Sequence, residues 1–222
     1  MQIFLDSVNP DEVRELADYG IIDGVTTNPG LIAASEGNVK KSVMKILDIA
    51  NSIGNFPVSL EVLATDYKGI MKEGKILSKL NPQVVVKIPA TLDGMKAVKD
   101  LSAEGISTNV TLVFSVAQAL LAARSGATYI SPFVGRLDDI DQDGNELVKE
   151  CTHMIQHYLF DSKILYASAR GLKDLKNAII DEADIITAPY KILKEMCEHP
   201  LTADGLKKFA SEWKKGDREY LF

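Results

Sequence analysis

Short runs rich in Val, Ile and aromatic residues recur along the chain at intervals of about 20–35 residues. They are Ile3-Phe4-Leu5, Val25-Thr26-Thr27, Val58-Ser59-Leu60-Glu61-Val62, Val84-Val85-Val86-Lys87-Ile88, Thr108-Asn109-Val110-Thr111-Leu112, Tyr129-Ile130-Ser131, Ile164-Leu165-Tyr166 and Ile185-Ile186-Thr187. Runs of this length and composition predict β-strands. Between them, apolar residues repeat at spacings of three and four, as in Val43, Ile46, Leu47 and Ala50 or in Leu172, Leu175, Ala178 and Ile179, and this predicts amphipathic helices. Strand and helix therefore alternate throughout. Nearly continuous apolar strands are buried on both faces, as in a parallel sheet covered by helices. Eight such units predict an α/β fold, a closed (β/α)8 TIM barrel at the compact end of its size range.

Helix starts support this frame. Asn9-Pro10-Asp11-Glu12 offers a cap, a first-turn proline and two acids against the positive helix end, and Ser115 and Asp174 are expected to act similarly. No Gly/Ser-rich or Pro-rich linker interrupts the chain, so one domain is expected over residues 1–222. Within it, residues 202–222 are expected to form an extra C-terminal helix, Thr202 to Lys215, followed by the aromatic tail Tyr220-Leu221-Phe222. Apolar residues exposed at a terminus pack onto something, for example a neighbouring subunit.

Composition narrows the function. Twenty-five Lys+Arg against 31 Asp+Glu leave a formal charge of −6, the wrong sign for a chain whose affinity comes from neutralising nucleic-acid phosphates. No nucleic-acid partner is expected. A small anion remains compatible, because a few converging cations hold one phosphate whatever the net charge. Cys151 and Cys197 lie far apart and form neither a disulfide framework nor a C-x-x-C site, which points to a reducing compartment. No basic stretch or apolar h-region follows Met1, and no apolar run approaches the roughly 18 residues of a membrane span, so a soluble cytoplasmic protein without a membrane partner is expected.

In a barrel of this kind the site is built at the C-terminal ends of the strands. There stand Asp6, Thr26, Asn28, Glu61, Lys87, Asn109, Thr111, Ser131, Ser168 and Arg170. Lys87 is the sharpest of these, because it interrupts an otherwise apolar strand where an ammonium finds little water. Burial disfavours the charged form of an amine and leaves a neutral nucleophile able to attack a carbonyl and form a Schiff base. Its position alone is equally compatible with a lysine that snorkels to solvent or pairs with a carboxylate. Asp6 and Glu61 end separate strands and offer two carboxylates for proton transfer, or a charge partner for Lys87. Asn109 and Thr111 are two apart on one strand and point to the same side, as satisfied polar core groups or as groups orienting an imine, a water or a hydroxyl. Arg136 and Arg170, the latter beside Ser168, form a natural phosphate clamp through their guanidinium forks.

Three further patterns carry less. Asp139 to Glu150 satisfies the calcium-loop pattern D-x-[DN]-x-[DN]-G-x5-E, but a strand and a short turn lead into it rather than a helix, and Asp and Gly serve a βα loop equally well. His153 and His157 sit four apart on a predicted helix without the intervening Glu of H-E-x-x-H and without a third ligand. Gly24 to Gly30 is too short and strand-like for a P-loop, and no G-x-G-x-x-G follows the first strand. No cofactor and no bound metal are expected.

Taken together, the chain resembles the transaldolase family, specifically its small single-domain branch, which also contains the fructose-6-phosphate aldolases. The resemblance rests on Phe4-Leu5-Asp6-Ser7, Gly24-Val25-Thr26-Thr27-Asn28-Pro29, Val86-Lys87-Ile88-Pro89, Thr108 to Ser115, Ile130-Ser131-Pro132-Phe133-Val134-Gly135-Arg136 and Ala167-Ser168-Ala169-Arg170, and runs over nearly the whole chain. It implies a class I aldolase barrel and a Schiff base between Lys87 and C2 of a ketose phosphate. Asp6 would take the proton of the C4 hydroxyl as the C3–C4 bond breaks, and Glu61 with a water near Thr111 would serve imine formation and hydrolysis. Thr26, Asn28, Asn109, Ser131 and Phe133 fall in the substrate site by the same resemblance. Asn28, Asn109 and Ser131 would hold the dihydroxyacetone unit, and Arg136, Ser168 and Arg170 the phosphate.

The implied donors are fructose 6-phosphate and sedoheptulose 7-phosphate, and the implied acceptors erythrose 4-phosphate and glyceraldehyde 3-phosphate, in the non-oxidative pentose phosphate pathway. The family's aldolases carry Gln in place of the third-strand Glu and Tyr in place of the Phe of Ser-Pro-Phe, whereas this chain has Glu61 and Phe133. The resemblance therefore favours transaldolase over fructose-6-phosphate aldolase, with a non-catalytic calcium- or phosphosugar-binding barrel as the remaining reading. Ser168-Ala169-Arg170 departs from the Ser-Phe-Arg of larger transaldolases while keeping both polar residues, and the early part of the chain is shorter. Small members form pentameric rings or decamers of paired rings, so a homo-oligomer is expected, with the C-terminal helix, Trp213 and Phe222 at the contact.

Overall fold

A computed structural model describes residues 1–35 and 37–215. Eight parallel strands close into a barrel in chain order: β1 (Gln2–Asp6), β2 (Gly24–Thr26), β3 (Val58–Glu61), β4 (Val84–Pro89), β5 (Thr108–Val113), β6 (Tyr129–Pro132), β7 (Lys163–Tyr166) and β8 (Ile185–Ala188). Around it lie α1 (Pro10–Asp18), α2 (Pro29–Ala34), α3 (Val39–Ile53), α4 (Tyr67–Ser78), α5 (Leu92–Ala103), α6 (Val116–Arg124), α7 (Val134–Asp138), α8 (Gly144–His157), α9 (Leu172–Ile180), α10 (Tyr190–Glu195) and α11 (Pro200–Lys215). This is the TIM barrel that the alternation predicts. The short α2 and α7 follow β2 and β6 directly, in stretches too brief to show a full apolar period. Helix α11 begins at Pro200 rather than Thr202. The tail residues Tyr220, Leu221 and Phe222 lie outside the described residues.

The strands are buried on both faces, and the two faces differ in chemistry. Leu5, Val25, Leu60, Val86, Ile88, Val110, Ile130, Ile164 and Ile186 point outward and join the helices in one apolar cluster. Alternate residues point inward, because successive side chains on a strand face opposite sides. Beneath the mouth these include Phe4, Leu165 and Ile185, an apolar plug with Tyr129 packed against it and Leu165 reaching the cavity above. Gly24 leaves room for that plug: a Cβ there would stand 2.6 Å from the Phe4 ring. One pleat further on, the inward residues become Asp6, Thr26, Glu61, Lys87, Asn109, Ser131 and Thr187. The closed core thus ends in a polar layer.

Caps fix where the helices enter. Asn9 accepts from the Asp11 N–H and Ser115 from the Gln118 N–H, as expected. Asp174 differs. Gly171 occupies the cap of α9, and the Asp174 carboxylate reaches back to accept from the backbone N–H groups of Arg170 at 2.6 Å and Gly171 at 3.0 Å. A carboxylate three residues into a helix returns to the cap in this way, which ties down the loop carrying Ser168 and Arg170.

The first turn of α5 follows the strand that bears Lys87, and its Gly94 backs onto the end of that strand: a Cβ would meet the Pro89 carbonyl oxygen at 2.1 Å. Gly→Ala in a helix ordinarily stabilises by roughly 1 kcal/mol. Here the sign reverses. Gly94→Ala is expected to cost about 1–3 kcal/mol through overpacking, read as a lower urea midpoint, and an unchanged or raised midpoint would contradict the packing described.

Candidate active site

The inward polar layer opens into a cavity of about 360 Å³ at the C-terminal mouth of the barrel. Its lining includes Asp6, Thr26, Asn28, Glu61, Lys87, Ser131, Phe133, Arg136 and Ser168, all of them expected from the sequence, together with Leu112, Leu165, Ala167 and Thr187. The end of almost every strand contributes, which explains how residues far apart in the chain converge.

Lys87 stands on the cavity wall at 4% exposure. β3 and β4 place Glu61 directly opposite it in register, and the two side chains form an ion pair at 3.1 Å. The ammonium also donates to the Thr27 carbonyl oxygen at 2.9 Å. An ammonium has three donors, so one N–H keeps no protein partner among the described residues. The carboxylate pairing that the sequence allows is therefore present, on a lysine that also lines the cavity. The Phe133 ring centroid lies 5.9 Å from Nζ, and Phe114 packs edge-on against Phe133. No tyrosine lines the cavity among the described residues.

Asp6 faces the same cavity from β1. Its Oδ1 accepts from the Thr26 hydroxyl at 2.7 Å, and Thr26 shares a 2.6 Å hydrogen bond with Thr187. Burial pushes the Asp6 carboxyl above its ordinary value, and the bond from Thr26, the charge of Lys87 and the Asn28 side chain only partly oppose this. Asn28 also caps α2, its Oδ1 accepting from the Leu31 N–H at 2.9 Å. On the far side, Ser131 donates to Asn109 Oδ1 at 2.7 Å, and Asn109 donates to Ser59 at 3.1 Å.

Three expected residues stand behind the lining rather than in it. Asn109 is fully buried within its hydrogen-bond chain and reaches the cavity through Ser131. Thr111 is fully buried, and its hydroxyl has no protein partner among the described residues. The cause is local: the β5–β6 register shifts between Val110 and Val113, and Leu112 takes φ 56°, so the bulge turns Leu112 toward the cavity. Arg170 is held in a bidentate pair by Asp139, leaving Arg136 as the arginine of the mouth. Ser168, with φ 65°, is a second lining residue in the left-handed region. Leu112 and Ser168 thus give the lining two non-glycine residues in left-handed backbone.

The calcium-loop pattern is dispersed by the fold. Asp139 pairs with Arg170, Asp143 caps α8 through the Asn145 and Glu146 N–H groups, and Glu150 is exposed on α8. His153 and His157 stack on each other on the exposed face of α8. No cluster of three or more metal-ligating side chains occurs among the described residues. Sequence reasoning missed Thr187 and Ser59, although each carries the signal that exposed the others: a polar residue inside an apolar strand.

A family model described as "Transaldolase/Fructose-6-phosphate aldolase" matches residues 3–219. The chain belongs to that family. It is 45% identical over 219 residues to a "Probable transaldolase" of Desulforapulum autotrophicum, covering 99% of this chain and 100% of the relative. It is 48% identical to proteins of the same name from Bacteroides fragilis, over 97% and 99% of the two chains, and from Carboxydothermus hydrogenoformans, over 96% and 98%. Among solved structures, thiamine phosphate pyrophosphorylase from Pyrococcus furiosus superposes with a TM-score of 0.60 at 11% identity, over 87% of this chain and 92% of that one. That likeness concerns the barrel alone. No helix among the described residues is long and apolar enough to cross a membrane.

An acid raised above its unfolded value of 3.8 stabilises the fold below that value, and the contribution is lost as pH rises through the folded value. At neutral pH the Asp6 carboxylate therefore costs stability. Asp6→Asn, which still accepts from Thr26, is expected to raise Tm at pH 7 by a few degrees, about what 1 kcal/mol gives a chain of this length. The gain should shrink as pH falls toward 4, and melting curves with a pH-independent difference, or a lower Tm, would contradict the buried-carboxylate account.

Proposed function

We propose that the chain is a transaldolase whose Schiff-base lysine is Lys87. The observation that carries this reading is the company Lys87 keeps: Glu61 at 3.1 Å, the cavity it lines, and a phenyl ring, not a phenol, 5.9 Å away.

Lys87 passes one ammonium proton to Glu61, and the amine so freed attacks C2 of a ketose phosphate such as fructose 6-phosphate or sedoheptulose 7-phosphate. Glu61, one hydrogen bond from Nζ, accepts and returns the protons that convert the carbinolamine to the imine as water leaves. Asp6 takes the proton of the C4 hydroxyl; the C3–C4 bonding pair moves into the iminium, and the aldose phosphate departs. Burial has raised the basicity of Asp6, which suits a group that must gain this proton and later return it to the acceptor's new hydroxyl. Ser131, with Asn109 behind it, and Asn28 hold the bound three-carbon unit. Arg136 and Ser168 meet the phosphate at the mouth, while Arg170 stands behind them in its pair with Asp139.

Phe133 decides the fate of the bound enamine. With no acidic proton at that position, the three-carbon unit stays on Lys87 until an aldehyde acceptor such as erythrose 4-phosphate or glyceraldehyde 3-phosphate enters. The transferase reading is therefore supported over the aldolase one. We further infer a cytoplasmic homo-oligomer, a pentamer or decamer. Its support is α11, which exposes Leu201, Leu206 and Phe209 without burying any residue of its own.

With fructose 6-phosphate and erythrose 4-phosphate, sedoheptulose 7-phosphate is expected only when acceptor is present, with little free dihydroxyacetone. Phe133→Tyr combined with Glu61→Gln is expected to raise free dihydroxyacetone at least about tenfold relative to transfer, a change of roughly 1.4 kcal/mol in partitioning. Acceptor-independent release by the parent chain would move the assignment to aldolase.

A further inference from the structure

Three neighbouring strands carry a hydroxyl chain into the proposed base. Thr187 on β8, Thr26 on β2 and Asp6 on β1 between them all line the cavity. Their oxygens are linked at 2.6 Å and 2.7 Å. Register places them so: Thr26 stands directly opposite Asp6, and Thr187 opposite Phe4, one pleat below. Thr26 is 2% exposed and Thr187 5%, so water does not substitute freely for either partner.

The proton count fixes what this chain does. Thr26 has one hydroxyl proton and gives it to Asp6 Oδ1. The short Thr26–Thr187 contact then needs a proton from Thr187, because the proton of Thr26 is spent. The direction is therefore Thr187 to Thr26 to Asp6. Two hydroxyls donating in series polarise each other, so the second strengthens the bond that the first makes to the carboxylate. When Asp6 gains a proton, the need for that donation falls and both hydroxyls are free to turn.

We propose that Thr187 is a positioning residue of the proton-transfer step: its hydroxyl, acting through Thr26, fixes the Oδ1 side of Asp6 and favours the carboxylate form that receives the substrate's proton. Thr187 touches neither the reacting carbon nor Lys87 in this role. The proposal rests on the reading of Asp6 as the group that takes the C4 hydroxyl proton. Other charges face Asp6 as well. Lys87 on β4, Glu61 on β3 and Arg136 on α7 share its cavity, and Glu12 on α1 with Tyr190 and Lys191 on α10 line a second cavity that reaches it from the outer side. A substitution at 187 leaves all of these in place, which makes the effect separable.

The test compares Thr187→Val, which keeps the shape and removes the hydroxyl, with Thr187→Ser, which restores it, and with Asp6→Asn. Transfer from fructose 6-phosphate to erythrose 4-phosphate is followed across pH, with circular dichroism as a check on folding. Thr187→Val is expected to move the acid limb of kcat/KM upward by about half a pH unit and to lower turnover several-fold on that limb, while the plateau at higher pH changes little. Thr187→Ser should return the limb to its original place, and Thr187→Ala should repeat the shift if the Val variant fails to fold. A limb that stays in place, or a loss equal at every pH, overturns the role of Thr187. Asp6→Asn separates the two levels. Retained transfer in that variant overturns the reading of Asp6 itself, whereas an inactive Asp6→Asn beside an unshifted Thr187→Val overturns only the relay.

Discussion

A cation inside a closed barrel must be solvated by the protein, and the site is arranged around that requirement. Lys87 lies in a strand whose outward neighbours Val86 and Ile88 are fully buried, so water reaches it only through the cavity mouth. The sheet supplies the missing shell from two directions: Glu61 from the adjacent strand, and the Thr27 carbonyl from the end of β2. Removing one partner of a buried pair typically costs about 3–5 kcal/mol, because the remaining charge is stranded. The same geometry that solves the solvation problem puts a carboxylate one hydrogen bond from the amine proposed as the nucleophile.

That requirement propagates around the layer. Lys87 holds Glu61, and its charge reaches Asp6. Asp6 is steadied by Thr26 and Thr187, while Asn109 is locked between Ser59 and Ser131. Buried polar groups tolerate few unpaired atoms, so each residue constrains the next. The exceptions are informative. The Thr111 hydroxyl is left without a protein partner among the described residues, and Leu112 and Ser168 adopt left-handed backbone in the same region.

Much of this was legible in the sequence, for a physical reason. In a closed parallel barrel every strand is buried on both sides, so a polar residue inside an apolar run has few structural excuses. Lys87 in Val84-Val85-Val86-Lys87-Ile88 announces itself in that way, as do Asp6 and Glu61 at strand ends. What stayed hidden depends on geometry that no linear pattern encodes. The bulge at Leu112 withdrew Thr111 from the lining, the Asp139 carboxylate engaged Arg170, and Asp174 reached back to a cap it does not occupy. The calcium-loop pattern does not gather its acids for a related reason, since Asp143 serves a helix cap and Asp139 an ion pair. Thr187 carries a weaker mark, because a threonine in a strand becomes informative only through its partner, here Thr26.

The central claim is that Lys87 forms a covalent imine with the donor sugar, and borohydride reduction during exposure to fructose 6-phosphate tests it most directly. The account predicts a stable three-carbon adduct on the peptide containing Lys87, diminished when erythrose 4-phosphate is supplied to carry the unit away, and absent in Lys87→Met. An adduct on another lysine, or transfer activity with no trapped adduct, would contradict it.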